Sequence, residues 1–400
     1  MQLSSASLGL FVVSIFAIAI IVSYGTTQVS VFYRDQLDAE VTATRYQTID
    51  GLRGLLALAV MLHHILINLQ FYQIGVWGLT PSRLTTFLGR GGVAFFFIIT
   101  AFLFWNQVSR EDRLFDTRSF YISRIRRLVP MYLVAVFLVI LTVVAITHFR
   151  LSVSPLAFFR QLTSWLLFTA PGAPDINGVE KTFVINGVFW SLVYEWKFYL
   201  FLPLLAVLKT RAARISALLV TCAYLTLPST VGVEWFFVGG VIAATIVRVH
   251  KVASIAQHWL SGVVAIVFIA ATTAWKPECY SVIGASLLLL PFIVFASGNS
   301  LFGLLTSPLT RLLGIVSYSV YLTHSWVLYL LSRLVNHYVP VASLTLPEYW
   351  ALGATVCVAT VGISVLTYRY IEHPFLHRRT PPTRHQRQHA EAALGHPSQR

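Results

Sequence analysis

The sequence predicts an all-α fold: a polytopic transmembrane helix bundle with a ten-helix core and one extra N-terminal helix. Three observations carry that expectation. Mean hydropathy is +0.73. Charged residues make up 11% of the chain, against about 25% in soluble globular proteins. Apolar runs long enough to cross a bilayer, about 20 residues each, recur from one end of the 400 residues to the other. The net charge of +14 comes from basic residues between and after these runs, so it is not a nucleic-acid signature. Cys222, Cys279 and Cys357 are scattered and odd in number, and give neither a disulfide framework nor a metal spacing.

The runs fall near 3–24, 52–72, 91–108, 128–147, 188–208, 214–228, 234–250, 259–275, 281–297, 313–335 and 349–370. The first has no basic segment before it and no clear small-x-small cleavage site. It reads as a retained helix with its N-terminus outside rather than a cleaved signal peptide. Basic residues orient the rest. By this division 21 of them, including Arg53, the cluster Arg110–Arg127 and those from Arg369 onward, fall on one side, and seven on the other. The richer side is assigned to the cytoplasm. The loop 148–187 is then external; Pro155–Phe168 could form an interfacial helix, and PGAPDING is a turn cluster. Three units follow: 1–48, the extra helix and a cytoplasmic connector; 49–376, the ten-helix membrane domain; and 377–400, a polar, Pro-rich and disordered cytoplasmic tail.

Arg53 and His64 are eleven residues apart in LRGLLALAVMLHHILINLQFY. On a helix that spacing returns a side chain to within about 20° of its starting face, roughly 16 Å further along the axis. The arginine lies at one membrane surface and the histidine near mid-depth. Ionisable groups are costly in hydrocarbon and face protein-lined cavities where they have work to do. His63 points about 100° away from that face, whereas Asn68 shares it one turn on. His324 lies in SYSVYLTHSWVLYLL, near Ser317 and Tyr321. Neighbouring histidines diverge on a helix, so no metal is expected.

Of fifteen acidic residues, Glu195 is the one well inside an apolar run, WSLVYEWKFYLFLPLL, with Ser191 and Tyr199 on its face. The alternative is an interfacial acid pairing with Lys197. Arg124 and Arg127, three apart in YISRIRRLVP, present guanidinium forks suited to phosphate oxygens, although positive-inside bias alone would also put arginines there. Gly91 and Gly92 in GRGGVAFFFIITAFLFW suit close helix packing.

In order, IDGLRGLLALAVMLHH, GGVAFFFIITAFL, FYISRIRRLVPMY, WSLVYEWKFYLFLP, GIVSYSVYLTHSW and RYIEHPF resemble the acyltransferase-3 family of integral membrane O-acyltransferases, over about 50–376. The chain differs in carrying Ala94 where the family has an acid, Thr100-Ala101 where it has Ser-Gly, and Lys197 after the glutamate. The resemblance implies acyl-CoA, acetyl-CoA first, as donor co-substrate. It implies a surface glycan or lipid-linked saccharide as acceptor, and residence as a multi-pass protein of the cell's inner membrane. Membrane lipid, and a periplasmic or glycan-assembly protein, are the other partners expected; nucleic acid and metal are not. Residue by residue it points to Arg53, Arg124 and Arg127 at the CoA, His64 as general base, and Glu195 positioning the sugar from the outer half or orienting the acid–base groups. Asn68 or a neighbouring backbone group would set the His64 tautomer, with Ser191 and His324 in support. The rival expectation is a proton-coupled transporter with His64, Glu195 and His324 as a relay, but the inverted repeats common in that class are not visible in the sequence.

Overall fold

The computed structural model describes residues 5–42, 46–108, 115–208, 210–226 and 232–376, so the tail expected at 377–400 lies outside the described residues. Among the described residues there are helices, short 3-10 turns and one isolated bridge, Ile176 to Val179, but no β-strand. The helices are α1 Ser5–Val29, α2 Val31–Thr42, α3 Gln47–Ile74, α4 Arg83–Val108, α5 Thr117–Ile146, α6 Pro155–Leu166, α7 Trp190–Val207 and α8 Arg211–Thr226. They continue with α9 Glu234–Ile246, α10 His250–Gln257, α11 Trp259–Trp275, α12 Val282–Ala296, α13 Pro308–Ile315, α14 Ser317–Tyr338, α15 Leu346–Thr367 and α16 His373–Leu376.

Local chemistry sets several ends. Asp116 caps α5: its carboxylate accepts from the Ser119 backbone N–H at 3.0 Å, and the bonds to Ser119 hold its carboxyl below the usual range. Ser154 followed by Pro155 opens α6, inside the stretch expected to be an interfacial helix. Gly75 ends α3 in the left-handed region, φ +72, where its N–H bonds to the Phe71 carbonyl.

Among the described residues five helices are long and apolar enough to cross a membrane: Ser7–Val29, Gln47–Ile74, Arg83–Val108, Thr117–Ile146 and Leu346–Leu376. The run expected at 234–250 is α9, followed by a 103° bend into α10. The run expected at 313–335 is broken at Val316 between α13 and α14. Ala212–Tyr224, Trp259–Trp275 and Val282–Ala296 are shorter apolar helices.

Of these five long helices α3 is the most buried. Its Leu58, Met61, Leu62 and Ile65 pack with Leu8, Phe11 and Ile15 of α1 and with Val356 and Cys357 of α15. Glycines let neighbours approach. A Cβ on Gly54 would sit 2.6 Å from the Thr310 carbonyl oxygen and 2.7 Å from the Gly314 nitrogen. One on Gly92 would lie 2.8 Å from a Val60 methyl, in keeping with the packing role expected of that glycine pair.

The bundle has two chemically distinct ends. At one, Arg214 donates to the Val108 carbonyl (2.9 Å), Arg248 to Asn106 (2.8 Å) and Arg311 to the Leu37 carbonyl (2.9 Å). At the other, Arg83 donates to the Ala274 carbonyl (2.5 Å) and Lys181 to the Gly75 carbonyl (3.1 Å).

The Gly54 contact yields a test. Gly54→Ala forces α13 off α3, at a cost of about 1–3 kcal/mol. The melting temperature of the detergent-solubilised protein should therefore fall. Gly362→Ala, whose Cβ would meet nothing within 4 Å, should not lower it; equal melting of both variants would refute the close approach.

Candidate active site

A cavity of about 590 Å³ opens at the arginine-rich end of the bundle. Arg53 of α3, Arg124 and Arg127 of α5, and Glu195 and Tyr199 of α7 line it, together with Tyr318 and Tyr321 of α14. Its wall is completed by Gln36, Ala39 and Glu40 of α2. That helix is docked by the Arg311–Glu40 ion pair (3.5 Å) and by Tyr33, which donates to the Val365 carbonyl at 2.5 Å.

Each guanidinium in the cavity is held differently. Arg53 lies 3.8 Å from the Asp50 carboxylate one turn back. Arg127 pairs with Glu372 at 3.3 Å. Arg124 stacks over the Phe104 ring at 4.4 Å and donates to the Ser123 hydroxyl, while its Nε is buried without a hydrogen-bond partner among the described residues. Glu195 accepts from the Tyr199 hydroxyl and, at 3.4 Å, from Thr100. The structure therefore puts Glu195 at the arginine cavity, and not in an interfacial pair: the exposed Lys197 ammonium lies over the Tyr194 ring, 4.7 Å from its centroid. The expected position of Glu195 beside an acceptor in the outer half is corrected accordingly. Ser191 also lines the cavity; its hydroxyl shares a 2.7 Å hydrogen bond with that of Tyr321.

Beyond this cavity His64 and His324 meet. His324 Nε2 lies 2.9 Å from His64 Nδ1. The Nδ1 of His324 faces the Val320 carbonyl at 3.0 Å, and that of His64 faces the Val60 carbonyl at 3.1 Å. Carbonyl oxygens only accept, so both Nδ1 atoms carry the proton. His64 Nδ1–H therefore donates toward His324 Nε2, and His64 Nε2 keeps its lone pair. That is the atom and the tautomer a general base needs. The Tyr321 ring connects the two regions: it lines the cavity, stands 5.8 Å from Phe96, and stands 6.1 Å from the His324 ring.

Asn68 does not set this tautomer. It donates to Ser332 at 2.9 Å and to Tyr349 at 3.5 Å, because one further turn carries it to the α14–α15 side of the helix. His63, as its rotation predicts, packs elsewhere, bonded to the Thr85 carbonyl at 2.7 Å. Sequence reasoning missed Glu372, 1% exposed, in a π-helical turn at the end of α15, where it accepts from Ser319 at 2.5 Å. Its signal was the acid of RYIEHPF, read as a motif letter at a helix end. Thr100, noted in the sequence only as a departure, touches Glu195. Among the described residues no cluster of three or more His, Cys, Asp or Glu could hold a metal ion.

The family model described as "Acyltransferase domain", that of the acyltransferase-3 family, matches residues 46–369. A Staphylococcus aureus (strain COL) protein named "Putative O-acetyltransferase" is 27% identical over 166 residues, 40% of this chain and 24% of that protein. Its counterpart in strain N315 matches equally, so the chain spans about a quarter of these relatives' length. "Nodulation protein 10" of Rhizobium leguminosarum bv. viciae is 27% identical over 332 residues, 72% of this chain and 83% of that protein. No solved structure matches significantly.

The Arg127–Glu372 pair gives a prediction. Removing one partner of a buried pair costs about 3–5 kcal/mol. Glu372→Ala should sharply lower the folded yield and melting temperature, and Arg127→Met in the same chain should recover part of the loss. Unchanged melting of the single variant would remove the pair's structural role.

Proposed function

The chain belongs to the acyltransferase-3 family, and on that premise we propose that it is a multi-pass membrane O-acyltransferase. It moves an acyl group, acetyl first, from acyl-CoA at the cytoplasmic face to a hydroxyl of an extracytoplasmic glycan or lipid-linked saccharide. Family membership favours this enzyme over the transporter reading. The observation that carries the site assignment is the pairing of two chemically different regions through Tyr321: an arginine-lined cavity at one end, and beyond it a histidine pair with a free Nε2.

The CoA phosphates are met by Arg53, Arg124 and Arg127, whose forks match phosphate oxygens and need no proton bookkeeping. Glu195 holds the arginine cluster and the Tyr199 hydroxyl in register. The pantetheine arm runs past Phe96 and Tyr321 toward the histidines. His64 Nε2 takes the acceptor hydroxyl's proton as the oxygen attacks the thioester carbonyl carbon. The C–O bond forms, the C–S bond breaks, and the departing thiolate takes the proton back from His64. His324 accepts the His64 Nδ1–H throughout, fixing the ring and sharing its transient positive charge.

In this reading α7, α8, α9, α11, α12 and α14 cross the bilayer with α3, α4, α5 and α15, giving ten spans, and α1 adds one. Residues 1–48, 49–376 and 377–400 are then the extra helix with its connector, the transferase domain and a cytoplasmic tail. The inner membrane and a glycan-assembly partner outside remain part of the same proposal.

His64→Ala should reduce surface-glycan acylation by about 10²–10⁴-fold with protein still inserted. His324→Ala should cost about 10–100-fold, and His63→Ala less. Wild-type ester content in the His64 variant would refute the base. Orientation is tested separately. The native cysteines are buried, so an impermeant thiol reagent on intact cells should label Asp175→Cys and spare Lys251→Cys; the reverse pattern would put the arginine cavity on the wrong side.

A further inference from the structure

Between Leu56 and Leu69 every residue of α3 is buried except His64. His64 is thus the one position in this stretch of the helix that keeps partial exposure. Trp77 stands there. Its ring lies 6.1 Å from the His64 ring, tilted by only 18°, and is itself partly exposed.

The loop that carries Trp77 is shaped to bring it down. Gly75 turns the chain back through a left-handed conformation, φ +72. The Phe71 ring meets the indole edge-on at 5.8 Å, and Gln70 donates to the Gly78 carbonyl at 3.4 Å. From the external loop, Lys181 donates to the Gly75 carbonyl at 3.1 Å and lies over Phe71, 5.4 Å from its ring centroid. The loop therefore folds back along α3 instead of projecting outward, and it holds a flat face beside the imidazole.

We infer that Trp77 is the acceptor-positioning residue: its indole stacks the C–H face of a saccharide ring and sets one ring hydroxyl against His64 Nε2. This rests on the acyltransferase reading above and names the side from which the acceptor arrives. A pyranose ring has apolar faces and a hydroxylated edge. An indole offers a broad apolar face at low cost in conformational freedom. Packed on such a face, the sugar presents its edge sideways, toward the base. The donor arrives past Tyr321 from the opposite end, so the two substrates meet at His64 without sharing an entrance. Holding the hydroxyl there lowers the barrier by removing rotational and translational freedom before reaction.

The test uses the full-length protein in detergent or proteoliposomes. Acetyl-CoA is the donor, and de-O-acetylated envelope polysaccharide from cells lacking this chain is the acceptor. Trp77→Leu fills the space without a flat face. The polysaccharide KM should rise about tenfold, with the acetyl-CoA KM unchanged. Trp77→Phe should recover most of the loss. Lys181→Gln, a change at an exposed side chain that loosens the loop, should raise the same KM about threefold. This arm decides the matter if Trp77→Leu fails to fold. An unchanged polysaccharide KM in Trp77→Leu, or in Lys181→Gln where that arm decides, overturns the assignment. So does a rise shared equally by donor and acceptor. His64→Ala in the same assay separates the two levels: if it still transfers acetyl, the active-site reading fails, whatever Trp77 does.

Discussion

The rest of the site depends on one hydrogen bond, from His64 Nδ1–H to His324 Nε2 at 2.9 Å. Alone, either imidazole could take two tautomers. The helix removes that freedom, because each ring sits four residues after a carbonyl that its Nδ1 faces, Val60 for one and Val320 for the other. A buried imidazole N–H without an acceptor is costly, so the carbonyl that each Nδ1 faces fixes which nitrogen carries the proton. The reactive lone pair on His64 Nε2 is then a consequence of helix geometry on α3 and α14 together.

Charge is treated differently at the arginine end. Arg53, Arg124, Arg127 and Arg311 lie close together beside Asp50, Glu40, Glu195 and Glu372. A cluster of bare cations would repel; here carboxylates pair with Arg53, Arg127 and Arg311. Arg127 and Arg311 are committed to acids, while Arg124 rests on an aromatic face with Nε buried. The acids supply what a phosphate site also needs, namely a stable fold when the ligand is away.

Much of this was legible in the sequence, and the pattern of what was not is physical. Helix positions followed from runs of apolar residues because bilayer-length runs are coarse signals, and Pro155 marked the start of a helix. His64, Glu195 and the arginines stood out because ionisable residues inside apolar runs are rare. The His64–His324 contact was invisible, since it joins positions 260 apart and depends on how α14 packs against α3. Helical spacing put Asn68 near the His64 face, but it could not say that Ser332 and Tyr349 would claim it. Glu372 was hidden by its place at a helix end, where an acid usually meets water; a π-helical turn instead buries it under Arg127. Trp77 stood outside every motif read from the sequence.

The N-terminal segment shows how such a site can be completed from beyond a domain. The family match begins at residue 46, yet Gln36, Ala39 and Glu40 form part of the cavity wall. Their helix is not loosely attached. Arg311, 4% exposed, reaches it through both the Leu37 carbonyl and the Glu40 carboxylate, and Tyr33 bonds to the backbone of α15. Arg311 itself lies in α13, the short helix pressed against Gly54 of α3, the residue next to Arg53. Movement of α2 would therefore be felt along a rigid path at the residue that opens the cavity. The close approach at Gly54 is what makes that path rigid: with no side chain between them, α3 and α13 have no slack in which to absorb the shift.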